Sequence, residues 1–200
     1  MDVPLGLRCS IRMYSHKLIN CYTHYTHKSF RITDNTSLQF YVVINPNSGP
    51  SNFDSNYQAC VPELLALGDN VIIVGYVLTG YGTRDSSDVL ADIATYMAFP
   101  TTYRPSGIFF DETSATSEYL DEYTTYAEQV RSDVTSDSVV SLPKNTFLIS
   151  LSLTSSQVIL NPGTNVADTS YFSIADFIVT AEQFYDDFEW VNCTFSSYDA

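Results

Sequence analysis

Ser106-Gly107-Ile108-Phe109-Phe110-Asp111-Glu112 is the stretch on which the reading of this chain turns. An apolar run bounded by turn residues predicts a buried strand. This one stops abruptly in two carboxylates, and Asp and Glu are among the residues least often buried without a partner. Two readings stand side by side. In one, Asp111 or Thr113 caps the helical pattern that follows. In the other, Asp111 and Glu112 are a catalytic pair at the C-terminal mouth of an α/β barrel.

The flanking sequence repeats a strand-then-helix rhythm. Gln39 to Ile44 is rich in β-branched and aromatic residues and predicts a strand, closed by the turn cluster Asn45-Pro46-Asn47-Ser48-Gly49-Pro50. Tyr57, Val61, Leu64 and Leu65 fall at helical spacing, with Pro62 predicting a late start or a kink and Gly68 a stop. Val71 to Val77 predicts a buried strand, followed by the loop Leu78-Thr79-Gly80-Tyr81-Gly82-Thr83-Arg84. Ser86 or Ser87 is the expected cap of a helix with Val89, Leu90, Ile93, Ala94 and Met97 on one stripe. Beyond the central stretch, Tyr119, Leu120, Tyr123, Ala127 and Val130 mark another helix. Residues 132–156 read as an irregular Ser/Thr-rich insertion. Gln157 to Leu160 and Ala175 to Val179 read as strands, and Phe184 to Phe188 as helical. Strands alternating with helices predict a mostly parallel sheet, and such sheets bind ligands at the carboxyl ends of their strands. The pattern therefore gathers Asn45, Tyr76, Thr79, Tyr81, Asp111, Glu112, Asn161 and Glu182 at one end of one sheet.

Composition narrows the function classes. Two hundred residues suit one domain with a sizeable core. The net charge of −14 and a pI near 4.2 repel nucleic acid and anionic membranes and favour a cationic partner. No apolar run reaches the length of a membrane span, and Met1 to Asn20 holds no apolar core of a signal peptide. Cys9, Cys21, Cys60 and Cys193 form no CxxC pair, which argues against zinc and leaves a Cys9–Cys21 disulfide as an unsupported option. His16, His24 and His27 all lie in residues 1–37, a segment without periodicity. No GxGxxG, Walker or GxSxG pattern occurs, so nucleotide binding and a Ser–His triad are not indicated. Asn35-Thr36-Ser37 and Asn192-Cys193-Thr194 fit the N-glycosylation sequon.

Four stretches carry a resemblance: Val42-Val43-Ile44-Asn45-Pro46-Asn47-Ser48-Gly49-Pro50, Val74-Gly75-Tyr76-Val77-Leu78-Thr79-Gly80-Tyr81-Gly82, Gly107-Ile108-Phe109-Phe110-Asp111-Glu112 and Val158-Ile159-Leu160-Asn161-Pro162-Gly163-Thr164. In this order they resemble the spherulin-4, or spherulation-specific, family, whose fungal members include family 135 glycoside hydrolases. The resemblance covers about residues 38–131 and 157–190. It implies a (β/α)8 TIM-barrel-like domain over 38–200 and an endo-acting hydrolysis of α-1,4-linked galactosamine or N-acetylgalactosamine polysaccharide. It also implies an extracellular or cell-surface protein, with the pair Asp111 and Glu112 and a later glutamate in the groove. Ala181-Glu182 stands where the family carries Phe-Glu, so Glu182 is the expected third carboxylate. Residues 1–37 lack the family's opening strand motif, and about five to six strands are countable where a closed barrel needs eight. The barrel is therefore expected to be incomplete at both ends.

Glycoside hydrolysis requires one carboxyl group that protonates the leaving oxygen and one that stays ionised as nucleophile or base. The resemblance gives one role to the Asp111–Glu112 pair and the opposing role to Glu182, and no metal or cofactor is called for. An α-linked 2-acetamido group lies on the leaving group's face and cannot attack from behind, so a protein carboxylate is needed; a retaining outcome is expected. Tyr76 and Tyr81 are candidates for stacking on sugar rings or for ordinary packing. Asn45, Thr79 and Asn161 complete the candidate binding set, although both asparagines precede proline and suit turn shaping. The competing expectation is a non-catalytic protein that binds cell-surface or spore-wall polysaccharide, or an inactive truncated relative.

Overall fold

A computed structural model describes residues 32–51, 55–136 and 156–181. Five strands form one parallel sheet in the order of the chain: β1 (Phe40–Ile44), β2 (Val71–Leu78), β3 (Gly107–Asp111), β4 (Gln157–Asn161) and β5 (Phe177–Ile178). Helix α1 (Ser55–Leu65) joins β1 to β2, α2 (Ser86–Met97) joins β2 to β3, and α3 (Leu120–Ser136) follows β3. The short α4 (Tyr171–Ile174) lies between β4 and β5. The register keeps the strands level: Gly75 lies beside Ile108, and Asp111 beside both Leu78 and Asn161.

The alternation of side chains along the strands sorts the apolar residues into two layers. Val42, Ile44, Ile73, Val77, Ile108, Phe110, Val158 and Leu160 face the helices and pack with Val61, Val89, Ile93, Tyr96, Tyr123, Tyr126 and Val130. Tyr41, Val43, Val74, Phe109 and Ile159 face the other way and pack only with residues of the strands and their ends, including Tyr76 and Phe177. Among the described residues, all helices that pack on the sheet therefore do so on one side. A doubly wound sheet would place them on both.

The sheet is strongly curled. In a flat sheet, four strand spacings would hold β1 and β5 about 19 Å apart. Instead the rings of Tyr41 on β1 and Phe177 on β5 meet edge to face, centroids 4.9 Å apart. The Tyr41 hydroxyl also donates to Gln157 Oε1 on β4 at 3.3 Å. The helix-free face is thus the concave one. Of the expected (β/α)8 architecture, the described residues show a parallel, curled sheet covered by helices on one side; β1 and β5 are not paired, so this sheet is not closed.

Several local expectations are corrected. Asp85, not Ser86 or Ser87, caps α2: its carboxylate accepts from the Ser87 amide at 2.9 Å and the Ser87 hydroxyl at 2.7 Å. Helix α1 starts at Ser55, ahead of Pro62, so the late start is not seen, and the Pro62 carbonyl still accepts from the Ala66 amide. Helix α3 extends to Ser136, into the stretch expected to be irregular. Ile32 packs into the helix-side core, which ties residues just before the expected boundary at 38 to the domain. Gly75 sits mid-strand because a Cβ there would lie 2.8 Å from the Tyr96 ring, whose hydroxyl donates to the Ile44 carbonyl at 3.1 Å. Residues 137–155, the helix expected at 184–188, the three histidines and Cys9, Cys21 and Cys193 lie outside the described residues.

Candidate functional site

The centre of the site is the C-terminal end of β3. Counting by twos from Phe109 on the concave face places Asp111 on that same face. The same count puts Tyr76 there from β2 and Asn161 there from β4. The three side chains converge: the Tyr76 hydroxyl donates to Asp111 Oδ2 at 2.8 Å, and the Asn161 amide donates to Asp111 Oδ1 at 2.7 Å. Each carboxylate oxygen thus has a donor from a different neighbouring strand. Tyr76 stacks on Phe109, which fixes its ring. Burial above all, then the hydrogen bond to Asp111 and the charges of Asp111 and Glu112, hold the Tyr76 phenol well above the ordinary tyrosine range. Tyr76 therefore keeps its proton and serves Asp111 as a donor.

Glu112 leaves the strand geometry. Its φ of 50° places a non-glycine residue in the left-handed region, which costs roughly 1–2 kcal/mol and needs local support. That support is a set of donors on the carbonyls of the acidic pair. The Thr79 amide and hydroxyl each lie 3.0 Å from the Asp111 carbonyl. The Glu112 carbonyl accepts from the Tyr81 amide at 2.5 Å and lies 2.8 Å from the Thr79 hydroxyl. The proton order behind Thr79 follows from the chemistry. The Tyr123 hydroxyl accepts from the Ser114 amide at 2.9 Å, so its own proton is available for Thr79 Oγ1, 2.8 Å away. Thr79 then turns its single proton to the carbonyls of the pair. Thr79 and Tyr123 are each 1% exposed. The left-handed turn breaks the alternation that would send the Glu112 side chain to the helix side, and its charge acts on the Tyr76 phenol.

The capping reading of the opening stretch is thereby corrected. Helix α3 and the 3₁₀ turn before it start at Ser117, well past Asp111, and the Thr113 hydroxyl donates back to the Phe110 carbonyl. Tyr81 lies at the rim, 57% exposed, in the turn Gly80–Gly82 with its own φ of 56°. Gly82 is required there, since its φ is 85° and a Cβ would run into the Tyr119 ring. Asn45 shapes its turn, accepting from the Gly49 amide at 3.0 Å. Thr79 is placed as a buried support and not at the surface. Glu182 lies outside the described residues. Ser114 escaped the sequence reading and Tyr123 entered it only as a member of a helix stripe, because nothing in the periodicity of a helix identifies a buried hydroxyl that reaches a distant loop. Among the described residues no group of three His, Cys, Asp or Glu side chains comes together to hold a metal, and no helix is long and apolar enough to cross a membrane.

Three comparisons with known proteins bear on the family of the chain. The profile of spherulation-specific family 4 matches residues 26–198. Spherulin-4 of Physarum polycephalum is 35% identical over 166 residues, covering 79% of this chain and 42% of that protein. The chain thus spans less than half the length of this curated relative. The crystal structure of Aspergillus clavatus Sph3 in complex with GalNAc superimposes with a TM-score of 0.63 at 32% identity, covering 81% of this chain and 61% of that one.

Proposed function

Because this chain belongs to spherulation-specific family 4, we propose that it is a glycoside hydrolase whose substrate is an α-1,4-linked galactosamine or N-acetylgalactosamine polysaccharide. The observation that carries this reading is the Asp111 carboxylate on the concave face at a strand end, with Tyr76 and Asn161 donating to its two oxygens. With both oxygens already accepting protons, Asp111 is suited to be the acceptor in the reaction, as nucleophile or base. The leaving oxygen is then protonated by a second carboxyl group, for which Glu112 and Glu182 are the candidates. A hydrogen bond from Tyr76 is a suitable lever, because it strengthens or relaxes as charge leaves Asp111 in the transition state.

Family membership, and a related structure that holds GalNAc, support a sugar as the ligand. Tyr81 on the rim offers an exposed ring against which a sugar face can lie. The charge of −14 suits a partly deacetylated, and so cationic, polymer. A (β/α)8 barrel is the proposed complete form of the curled sheet.

The test is release of oligosaccharides from purified galactosaminogalactan, with Asp111→Asn as the control. The reading requires hydrolysis by the wild type and its loss in the variant with the fold intact. Binding of the polymer without any cleavage, equal in both proteins, would instead identify a polysaccharide-binding protein.

A further inference from the structure

We propose that Asn35 is an N-glycan acceptor, displayed at the end of the sheet opposite Asp111. The sequon Asn35-Thr36-Ser37 lies in a stretch of the chain where all three residues are exposed. The stretch is a turn: the Asn35 backbone N–H donates to the Ile32 carbonyl at 3.3 Å, and the Leu38 backbone N–H to the Asn35 carbonyl at 2.9 Å. It is also tied down from below. Asn70, the residue before β2, directs its side-chain amide at the carbonyls of Ile32, Asn35 and Leu38, at 3.4, 3.3 and 3.0 Å. The backbone is thus anchored while the sequon faces solvent, the arrangement that a glycosylated loop needs.

Position supports the assignment. The strands are parallel, so the turn that enters β1 lies at the N-terminal end of the sheet, and Asp111 lies at the C-terminal end. A five-residue strand separates the two ends by roughly 15 Å. A bulky glycan at Asn35 therefore stays clear of the concave mouth.

A second observation points to the same compartment independently. Cys60, 3% exposed on α1, is disulfide-bonded. Structural disulfides belong to oxidising compartments, and N-glycan transfer takes place in one of them. The chemistry is a displacement. The Asn35 side-chain nitrogen, Nδ2, forms a bond to the anomeric carbon of a polyprenyl-diphosphate-linked oligosaccharide. The bond from that carbon to the diphosphate oxygen breaks, the amide gives up one proton, and polyprenyl diphosphate leaves.

The full chain, expressed in yeast behind a cleavable secretion leader, is treated with peptide-N-glycosidase F in heavy-oxygen water and mapped by mass spectrometry. Secreted and membrane-enclosed material are both read. The expected result is heavy-oxygen aspartate at position 35. Asn35→Gln and Ser37→Ala are each expected to remove one glycan from the intact mass, while Ser37→Thr, which keeps the sequon, retains it. An unmodified Asn35, or a glycan confined to Asn192, overturns the proposal.

Discussion

The behaviour of Asp111 depends on two protons that belong to its neighbours. Tyr76 and Asn161 each donate to one of its oxygens, so removing either donor leaves the carboxylate in place but free to turn. Tyr76→Phe is expected to lower kcat by about 10- to 100-fold, the rate equivalent of the ~1.5–3 kcal/mol of a hydrogen bond to a charged group. KM should change little if the bond tightens only in the transition state. Asp111→Asn is expected to lower kcat by roughly 10²–10⁴-fold, the range for loss of a positioned acid or base. Steady-state hydrolysis of galactosaminogalactan measures both, with circular dichroism to verify the fold. An Asp111→Asn variant as active as wild type would remove Asp111 from the reaction.

Two features at the scale of the element could not be assigned to a single strand or helix in isolation. The loop after β2 and the start of α3 together hold the carbonyls of Asp111 and Glu112 through Thr79 and Tyr123. Thr79→Val leaves those carbonyls and the Tyr123 proton without this partner, at a cost of about 1–3 kcal/mol. Because Glu112 sits in the left-handed region, the same variant should also lower kcat, and Thr79→Ser should restore both. A loss of stability in chemical denaturation with kcat unchanged would show the network to be structural only. The second feature is the contact of α2 with β2. Gly75→Ala places a methyl 2.8 Å from the Tyr96 ring, and overpacking of this kind costs about 1–3 kcal/mol. A lowered denaturation midpoint with an unchanged slope is the expected result.

At the scale of the molecule, buried phenols recur: among the described residues, Tyr96, Tyr123, Tyr126 and Tyr171 are among the largest fully buried side chains. Burial is the first cause in each case of a pKa raised above 10.0, and it takes Tyr171 to about 12. A tyrosine with a raised folded-state pKa stabilises the fold fully below about pH 10, its unfolded value. That contribution is lost as pH climbs through the folded value. Stability is therefore expected to be insensitive to these groups up to about pH 10 and to fall as pH rises above it, the share of Tyr171 being lost by about pH 12. Tyrosinate absorbance, followed with ellipticity, should show exposed rings titrating first and the buried set only as the fold is lost. Titration of all the tyrosines in a single step near pH 10, with the fold retained, would contradict the buried network.

The sequence by itself determined the βα rhythm, the parallel sheet and the end of it on which Asp111, Tyr76 and Asn161 fall. Runs such as Val71–Val77 and Gly107–Phe110 are buried on both faces, and their abrupt polar ends mark the strand termini wherever the strands are placed. It also indicated a helix start at Ser86 or Ser87, whereas the cap is Asp85, one residue earlier. Only the tertiary structure decided that the concave face is the helix-free one, that Asp111 is an acceptor between two strands, and that Thr79 supports Glu112 from below. These depend on curl, register and contacts between residues 30 to 50 positions apart, such as Tyr76 with Asp111 and Asn161 with Asp111. Local periodicity reports which face of an element is apolar. It holds no information on which polar tips meet once several such faces have closed on one another.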